Sequence, residues 1–474
     1  MAKVTKTIKV KIHNPNKGKQ GALLSTVLIL NKALATFIDF TLAHPFFLTE
    51  TKEVVDKKTC EVRKRKLKNP EILTEIEKRT LKTKAHQETE IDIKTIYPCL
   101  PTSFRRSIIN TSTGMCKSYF SNLENWKNLN GKNKSKNPPA PPTPRNLPTF
   151  YKGTYSIELL DIQNQFVRLN VYSEGEWVFK NYPIKIGRKQ LKTLTSGEWT
   201  ILSPTLVPRR RFITNHNHKK RGNKTEWYLH IPVEKKVSVK KIEEQKKENP
   251  QLCTLSIDMG LKHIAVITVR KGGKIVFVKF IRCEQLEAHI LRHLQKIFKK
   301  QHKSGKAVKG QRSNKQLWEH IGSMNDAHAH LVSLIIIEIA LEYGVDVIII
   351  EYLRKFRNRR GEKRSKKFNR KFTYWLKGKL EFNLRYKALE HGILVKSVNP
   401  TFTSQICNKC GGFGERFSSG SLFRCFYCGY CANADFNASV NLHKVFWDIF
   451  PKPKRKKKFK KPTRKGKVAH SSVC

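Results

Sequence analysis

From Cys407 to Leu442 the chain reads CNKCGGFGERFSSGSLFRCFYCGYCANADFNASVNL, with five cysteines at C-x-x-C spacing. A tetrahedral thiolate site takes four ligands, so one of Cys407, Cys410, Cys425, Cys428 and Cys431 is surplus. No other segment constrains the fold as tightly, because metal ligation fixes a short backbone that has no core of its own. The cysteine count is odd, 11, no other pair is as close, and the opening MAKVTKTIKV carries no apolar signal region. These features point to a reducing, cytoplasmic compartment and to metal rather than disulfide chemistry. The scattered Cys60, Cys99, Cys116, Cys253, Cys283 and Cys474 read for the most part as small buried residues.

At 474 residues the chain exceeds what one core organises and should form several domains. Its 94 Lys and Arg against 37 Asp and Glu leave a formal net charge of +57. A charge of that size repels itself in a compact molecule unless a polyanion neutralises it, which makes nucleic acid the expected partner. The apolar run from Gly21 to Ala43 has nearly the length of a membrane span. Asn31, Lys32 and Asp39 interrupt it, and its helical spacing favours a core helix; no membrane partner is expected.

Along the chain, residues 4–12 alternate like an edge strand, and a helical stretch with a charged middle follows to about Trp126, with a helix start at Pro101–Phe104. Residues 131–148, rich in Pro and Lys, form a stiff linker. From Tyr151 to Val233, short β-branched and aromatic runs between turns predict a small barrel or sandwich that the opening strand joins. Basic loops there, at Arg209, Arg210 and Arg211 and around His216 and His218, would project towards phosphates. From Cys253 the order becomes strand, strand, strand, helix, strand, helix, strand, a mixed α/β layer. The first helix of that layer should start at Asn325-Asp326 and stop at Gly344, and the second closes at Gly392.

Two acids stand out in this layer. Asp258 ends the apolar strand LSID, with Gly260 permitting close backbone approach, and Glu351 ends VDVIII. A charge at the mouth of a buried strand requires compensation, either by a divalent cation or by one of the many lysines. Asp435 lies at a later helix start, where either it or Asn433 serves as the cap. Taken together, the three acids form the set with which an RNase H-like nuclease holds two Mg²⁺ ions about 3.5–4 Å apart for in-line attack on a phosphodiester.

SIDMGLKHIA, IIIEYL and the cysteine segment running into NADFNASVNL resemble the three RuvC motifs and zinc ribbon of the TnpB nucleases and the miniature type V CRISPR effectors. The resemblance implies a multidomain α+β protein. It would have an N-terminal wedge β-barrel with a helical recognition insert, then an RNase H-like (RuvC) domain carrying the ribbon. The implied boundaries are 1–19 for the first barrel strand, 20–130 for the insert, 131–149 for the linker, 150–235 for the barrel and 236–252 for a charged connector. Motifs I and II of the nuclease occupy 253–401, the ribbon 402–432, the third motif 433–450 and a basic tail 451–474.

By position, Asp258, Glu351 and Asp435 would be the catalytic acids binding Mg²⁺ or Mn²⁺, and Cys407, Cys410, Cys425 and Cys428 the Zn²⁺ ligands. Arg416 and Arg424 are both candidates for an arginine beside the metals. Arg354, Arg357, Arg359 and Arg360, together with the barrel arginines, would contact nucleic acid. The implied activity is RNA-guided cutting of DNA, with a guide RNA and double- and single-stranded target DNA as partners. A binding protein that does not cut, and a transposase acting directly on DNA, are the alternatives. The glycines agree with the resemblance: Gly411 and Gly429 follow Cys410 and Cys428, whereas Ala432 follows Cys431, which makes Cys431 the surplus thiol.

Overall fold

In the computed structural model, residues 2–49, 51–55, 62–84, 86–129, 137–145, 147–159, 165–214, 220–260, 263–282, 284–303, 314–353, 377–418 and 420–451 are described. The chain divides into two compact units, Thr5–Lys235 and Lys236–Cys474, the latter including Met1–Val4.

The first unit opens with β1 (Ala2–Ile12) and α1 (Lys17–Ala43), then α2 (Phe46–Thr49), β2 (Thr51–Val55), β3 (Val62–Lys66), α3 (Asn69–Thr80), α4 (Ile93–Ile96) and α5 (Thr102–Asn128). It continues with β4 (Tyr155–Leu159), β5 (Gln165–Ser173), β6 (Glu176–Lys185), α6 (Arg188–Thr195), β7 (Thr200–Ile201), β8 (Thr205–Thr214) and β9 (Lys220–Val237). Seven strands curl into one sheet in the order β4-β5-β6-β1-β9-β7, with β8 paired to β9.

Three expectations change here. The opening strand lies between β6 and β9 rather than at an edge. The helical stretch is interrupted by an antiparallel strand pair, β2 with β3, the latter inside its charged middle. Arg209, Arg210 and Arg211 lie on β8, their backbones paired with Glu226, Thr225 and Lys224, so they belong to a ladder and not to a loop. His216 and His218 lie outside the described residues. The apolar run Gly21–Ala43 is the body of α1, which buries Leu23, Leu30, Leu34 and Phe37 within its own unit. α1 and a second helix, Lys315–Glu342, have the length and composition to cross a membrane, and both bury apolar faces.

The second unit begins with α7 (Ile242–Glu248), β10 (Thr254–Asp258), β11 (Ala265–Lys271), β12 (Lys274–Ile281), α8 (Glu284–Lys303), α9 (Lys315–Glu342) and β13 (Val347–Glu351). α10 (Lys377–Glu390), β14 (Leu394–Val398), β15 (Gly414–Phe417), β16 (Leu422–Cys425), β17 (Cys431–Asn433) and α11 (Ala434–Phe446) complete it. Its main sheet has the order β12-β11-β10-β13-β14. β10 pairs parallel with β13 and β13 with β14, while β11 pairs antiparallel with both β10 and β12. Val332, Ile336, Leu380 and Leu384 of α9 and α10 pack on one face, and Leu442 and Phe446 of α11 on the other. Strands covered on both faces are mostly apolar, as VIIIE is up to its final acid; in TLSID the buried polar Thr254 and Ser256 are hydrogen-bonded.

α9 starts at Lys315 and not at Asn325-Asp326, which lie in its interior. The apolar positions Leu317, Ile321 and Met324 extend the helical period upstream, and that face packs on α8. Gly344 (φ +63°) and Gly392 (φ +80°) follow the ends of α9 and α10 in the left-handed conformation. Cys116 and Cys253 are buried, Cys99 is exposed, and Cys60, Cys283 and Cys474 lie outside the described residues.

Candidate metal centres

Register alone brings two acids together. β10 and β13 are parallel central neighbours with Ile257 opposite Ile350, so Asp258 and Glu351, the next residue on each strand, lie side by side at the C-terminal ends of these strands. They are 7% and 8% exposed and close enough for the Glu351 carboxyl to raise that of Asp258. Gly260 lies against His263: its N–H donates to the His263 carbonyl at 3.1 Å, and a Cβ there would come within 2.9 Å of that oxygen.

The third acid arrives on α11. Asn433 caps the helix, its side chain accepting from the N–H groups of Asp435 (3.0 Å) and Phe436 (3.1 Å). Asp435 is thereby released from the capping role and its carboxylate faces the site. Its Oδ1 accepts from Arg416 Nη1 at 3.1 Å and its Oδ2 from His263 Nδ1 at 3.0 Å. Arg416 is therefore the ribbon arginine placed at the acids; Arg424 is paired across β15 with Glu415.

The same helix face continues one and two turns on with Ser439 and His443. The Ser256 hydroxyl donates to the Ser439 carbonyl at 2.7 Å, and Thr268 lies 2.9 Å from the Ser439 hydroxyl. His443 meets Thr254 through Nδ1 at 2.9 Å and Thr268 through Nε2 at 3.0 Å. Burial pushes the His443 ring down to about 3, so it stays neutral. These pairings lock the helix onto β10 and β11, and that register carries Asp435 to Asp258. Sequence reasoning missed His263, Ser439 and His443. His263 lies inside the quoted SIDMGLKHIA, and the i, i+4, i+8 spacing of Asp435, Ser439 and His443 was the available signal.

Burial raises the Asp258 carboxyl well above the usual range, and Glu351 and Asp435 add to the effect. Burial likewise lifts Glu351 to about 7, against the pull of its hydrogen bond to Asp258 and of Arg416. These three carboxyl groups, two of them desolvated, are hard oxygen donors of the kind a small divalent cation takes.

The second centre is unambiguous in its donors. The sulfurs of Cys407, Cys410, Cys425 and Cys428 all lie within 4.8 Å of one another. Cys407 and Cys428 are 3.8 Å apart and Cys410 and Cys425 3.5 Å. Sulfurs at about 2.3 Å from a tetrahedral zinc stand about 3.8 Å apart, so the set fits zinc. Gly411 (φ +74°) and Gly429 (φ +67°) provide the left-handed turns of the two knuckles. N–H groups of Lys409, Gly412 and Tyr427 point at the sulfurs of Cys407, Cys410 and Cys425, each at 3.4 Å. Cys431 lies on β17 opposite Arg424, outside the cluster.

The ribbon is tied to α11 by two asparagines one turn apart. Asn437 accepts from the Asn408 N–H (2.9 Å) and donates to the Ile406 carbonyl (2.8 Å). Asn441 donates to the carbonyls of Thr403 (2.9 Å) and Ile406 (2.7 Å). Arg209 is exposed on β8. The side chains of Arg210 and Arg211, and all of Arg354, Arg357, Arg359 and Arg360, lie outside the described residues.

The model of the Cas12f1-like TNB domain matches residues 378–442, and that of the Aq_aa04 family matches residues 6–173. The TnpB-like protein aq_aa05 of Aquifex aeolicus is 34% identical over 238 residues, which cover 48% of this chain and 76% of that protein. The CRISPR-associated endodeoxyribonuclease Cas12f1 of Sulfoacidibacillus thermotolerans is 26% identical over 269 residues, 54% of this chain and 56% of that one. Among solved structures, AacC2c1 in a ternary complex with single-guide RNA and extended non-target DNA superposes with a TM-score of 0.62 at 10% identity. It covers 94% of this chain and 91% of that one, a likeness of fold.

Proposed function

The chain belongs to the family of TnpB-like proteins and miniature Cas12 effectors, and from that premise we propose that it is an RNA-guided DNA endonuclease that uses one divalent-metal site. The observation that carries the reading is the convergence of Asp435, on α11, towards Asp258 and Glu351 at the C-terminal ends of two central strands, the latter two buried together. Such an arrangement destabilises a protein unless it has work to do. Asp258, Glu351 and Asp435 would hold Mg²⁺ or Mn²⁺, which when bound activates a water and stabilises the leaving 3′ oxygen. Arg416 pairs with Asp435 in the protein alone, and a phosphate entering the site would offer its guanidinium a second acceptor. Zn²⁺ held by Cys407, Cys410, Cys425 and Cys428 would act through structure, fixing the ribbon to which α11 is tied.

Guide RNA and target DNA, double- and single-stranded, are the proposed partners. The charge of +57 supports this, since pairing can read sequence while the protein holds backbones. Within this reading the segments take the division implied by the resemblance, with 253–401 and 433–450 forming the nuclease around the ribbon at 402–432. Arg209, Arg210 and Arg211, and Arg354, Arg357, Arg359 and Arg360, are proposed as backbone contacts. The test is cleavage of guide-matched DNA with Mg²⁺ or Mn²⁺ by the protein with its co-purified RNA. Asp258→Ala is expected to abolish cutting and to leave RNA binding intact; normal cutting by that variant would refute the assignment.

A further inference from the structure

His263 is 3% exposed, far from any surface role, yet only one of its ring nitrogens has a partner. Asp435 accepts through Oδ2, so Nδ1 carries the hydrogen and Nε2 is left buried without a hydrogen-bond partner among the described residues. An orphaned buried nitrogen is a standing cost, which calls for a reason. Two features hold the ring in this pose. The His263 carbonyl accepts from Gly260 N–H at 3.1 Å, which ties His263 to the chain just past the end of β10. The ring also meets Phe280 of β12 edge to face, with centroids 5.3 Å apart. A ring so anchored has one polar outlet, Asp435 Oδ2.

We propose that His263 is a positioning residue of the acid cluster: by holding Asp435 Oδ2 it leaves Oδ1 as the oxygen exchanged between Arg416 and a divalent cation. The inference rests on the nuclease reading of the three acids. A freely rotating Asp435 would present either oxygen and lose rotamer freedom on binding; one already held by an N–H donor does not. His263 touches neither substrate nor metal in this account and acts only through Asp435.

The test is Mn²⁺ binding to the zinc-loaded full chain, free of nucleic acid, followed by the electron paramagnetic resonance signal of free Mn²⁺. Asp258→Ala is expected to lose the site. His263→Phe, which retains a ring against Phe280, is expected to weaken Mn²⁺ binding about 10- to 100-fold. His263→Asn places an amide N–H where Nδ1 lies and should recover most of the affinity, whereas His263→Gln, whose amide lies where Nε2 does, should not. Wild-type binding by His263→Phe, or equal binding by the Asn and Gln variants, would overturn the proposal while Asp258→Ala still loses the metal. Unchanged binding by Asp258→Ala would instead overturn the site reading on which it rests. Should the Phe variant fail to fold, the Asn and Gln comparison alone decides.

Discussion

Removing the charge of Glu351 should make the metal-free protein more stable. Burial lifts its carboxyl from 4.5 to about 7, so between those values the folded chain keeps a proton that the unfolded chain releases. Stability attached to this group is complete below pH 4.5 and falls as pH rises towards 7. A shift of this size corresponds to about 3 kcal/mol. Glu351→Gln keeps the shape and cannot ionise. At pH 8 the variant should exceed the wild type by about 3 kcal/mol, or about 6–12 °C in the melting temperature of a unit of this size, and the gap should shrink towards pH 5. Comparing the two proteins at each pH cancels the titration of charges that do not feel Glu351; Asp258 does feel it, and relief of that repulsion in the variant acts in the same direction.

The assay is scanning calorimetry without Mg²⁺ or Mn²⁺, in buffers that leave zinc in the ribbon. Mn²⁺ added at pH 8 should raise the wild type and narrow the gap, because binding adds stability only to a chain that holds the cation. The reasoning fails if Glu351→Gln melts at or below the wild type at pH 8, or if the difference does not grow between pH 5 and pH 8.

Two other perturbations probe the supports of Asp435. Cys428→Ser should abolish bound zinc by atomic absorption, whereas Cys431→Ser should retain a full equivalent, since Cys431 lies outside the four-sulfur cluster. His443→Leu strips Thr254 and Thr268 of a buried partner and should cost about 2–4 kcal/mol in urea denaturation, with His443→Gln costing less.

The parts of this molecule visible in the sequence are those whose cause is local. TLSID and VIIIE announce buried strands because every residue sits between two layers, and an acid ending such a run stands out. The glycines after Cys410 and Cys428 identify the knuckles because backbone geometry demands them. The rest depends on partners distant in sequence. Nothing near Asn325-Asp326 distinguishes a helix start from a helix interior; the contact with α8 decides it. His263 acquires its role from Asp435, and Ser439 and His443 from threonines and a serine on β10 and β11. A ladder partner likewise turned the three arginines of β8 from a presumed loop into strand.

The pairing of Asp258 with Glu351 through strand register has a further consequence. Their separation is set by the β10–β13 ladder and not by the length of chain between them, so the connections between the elements from β11 to α9 can grow or shrink without moving either acid. What the pair does not tolerate is slippage: displacing one strand by a single residue would turn its acid to the opposite face of the sheet. Insertions are therefore the permissive route by which such a chain can acquire new surfaces, and errors in strand alignment are the ones it must avoid as it folds.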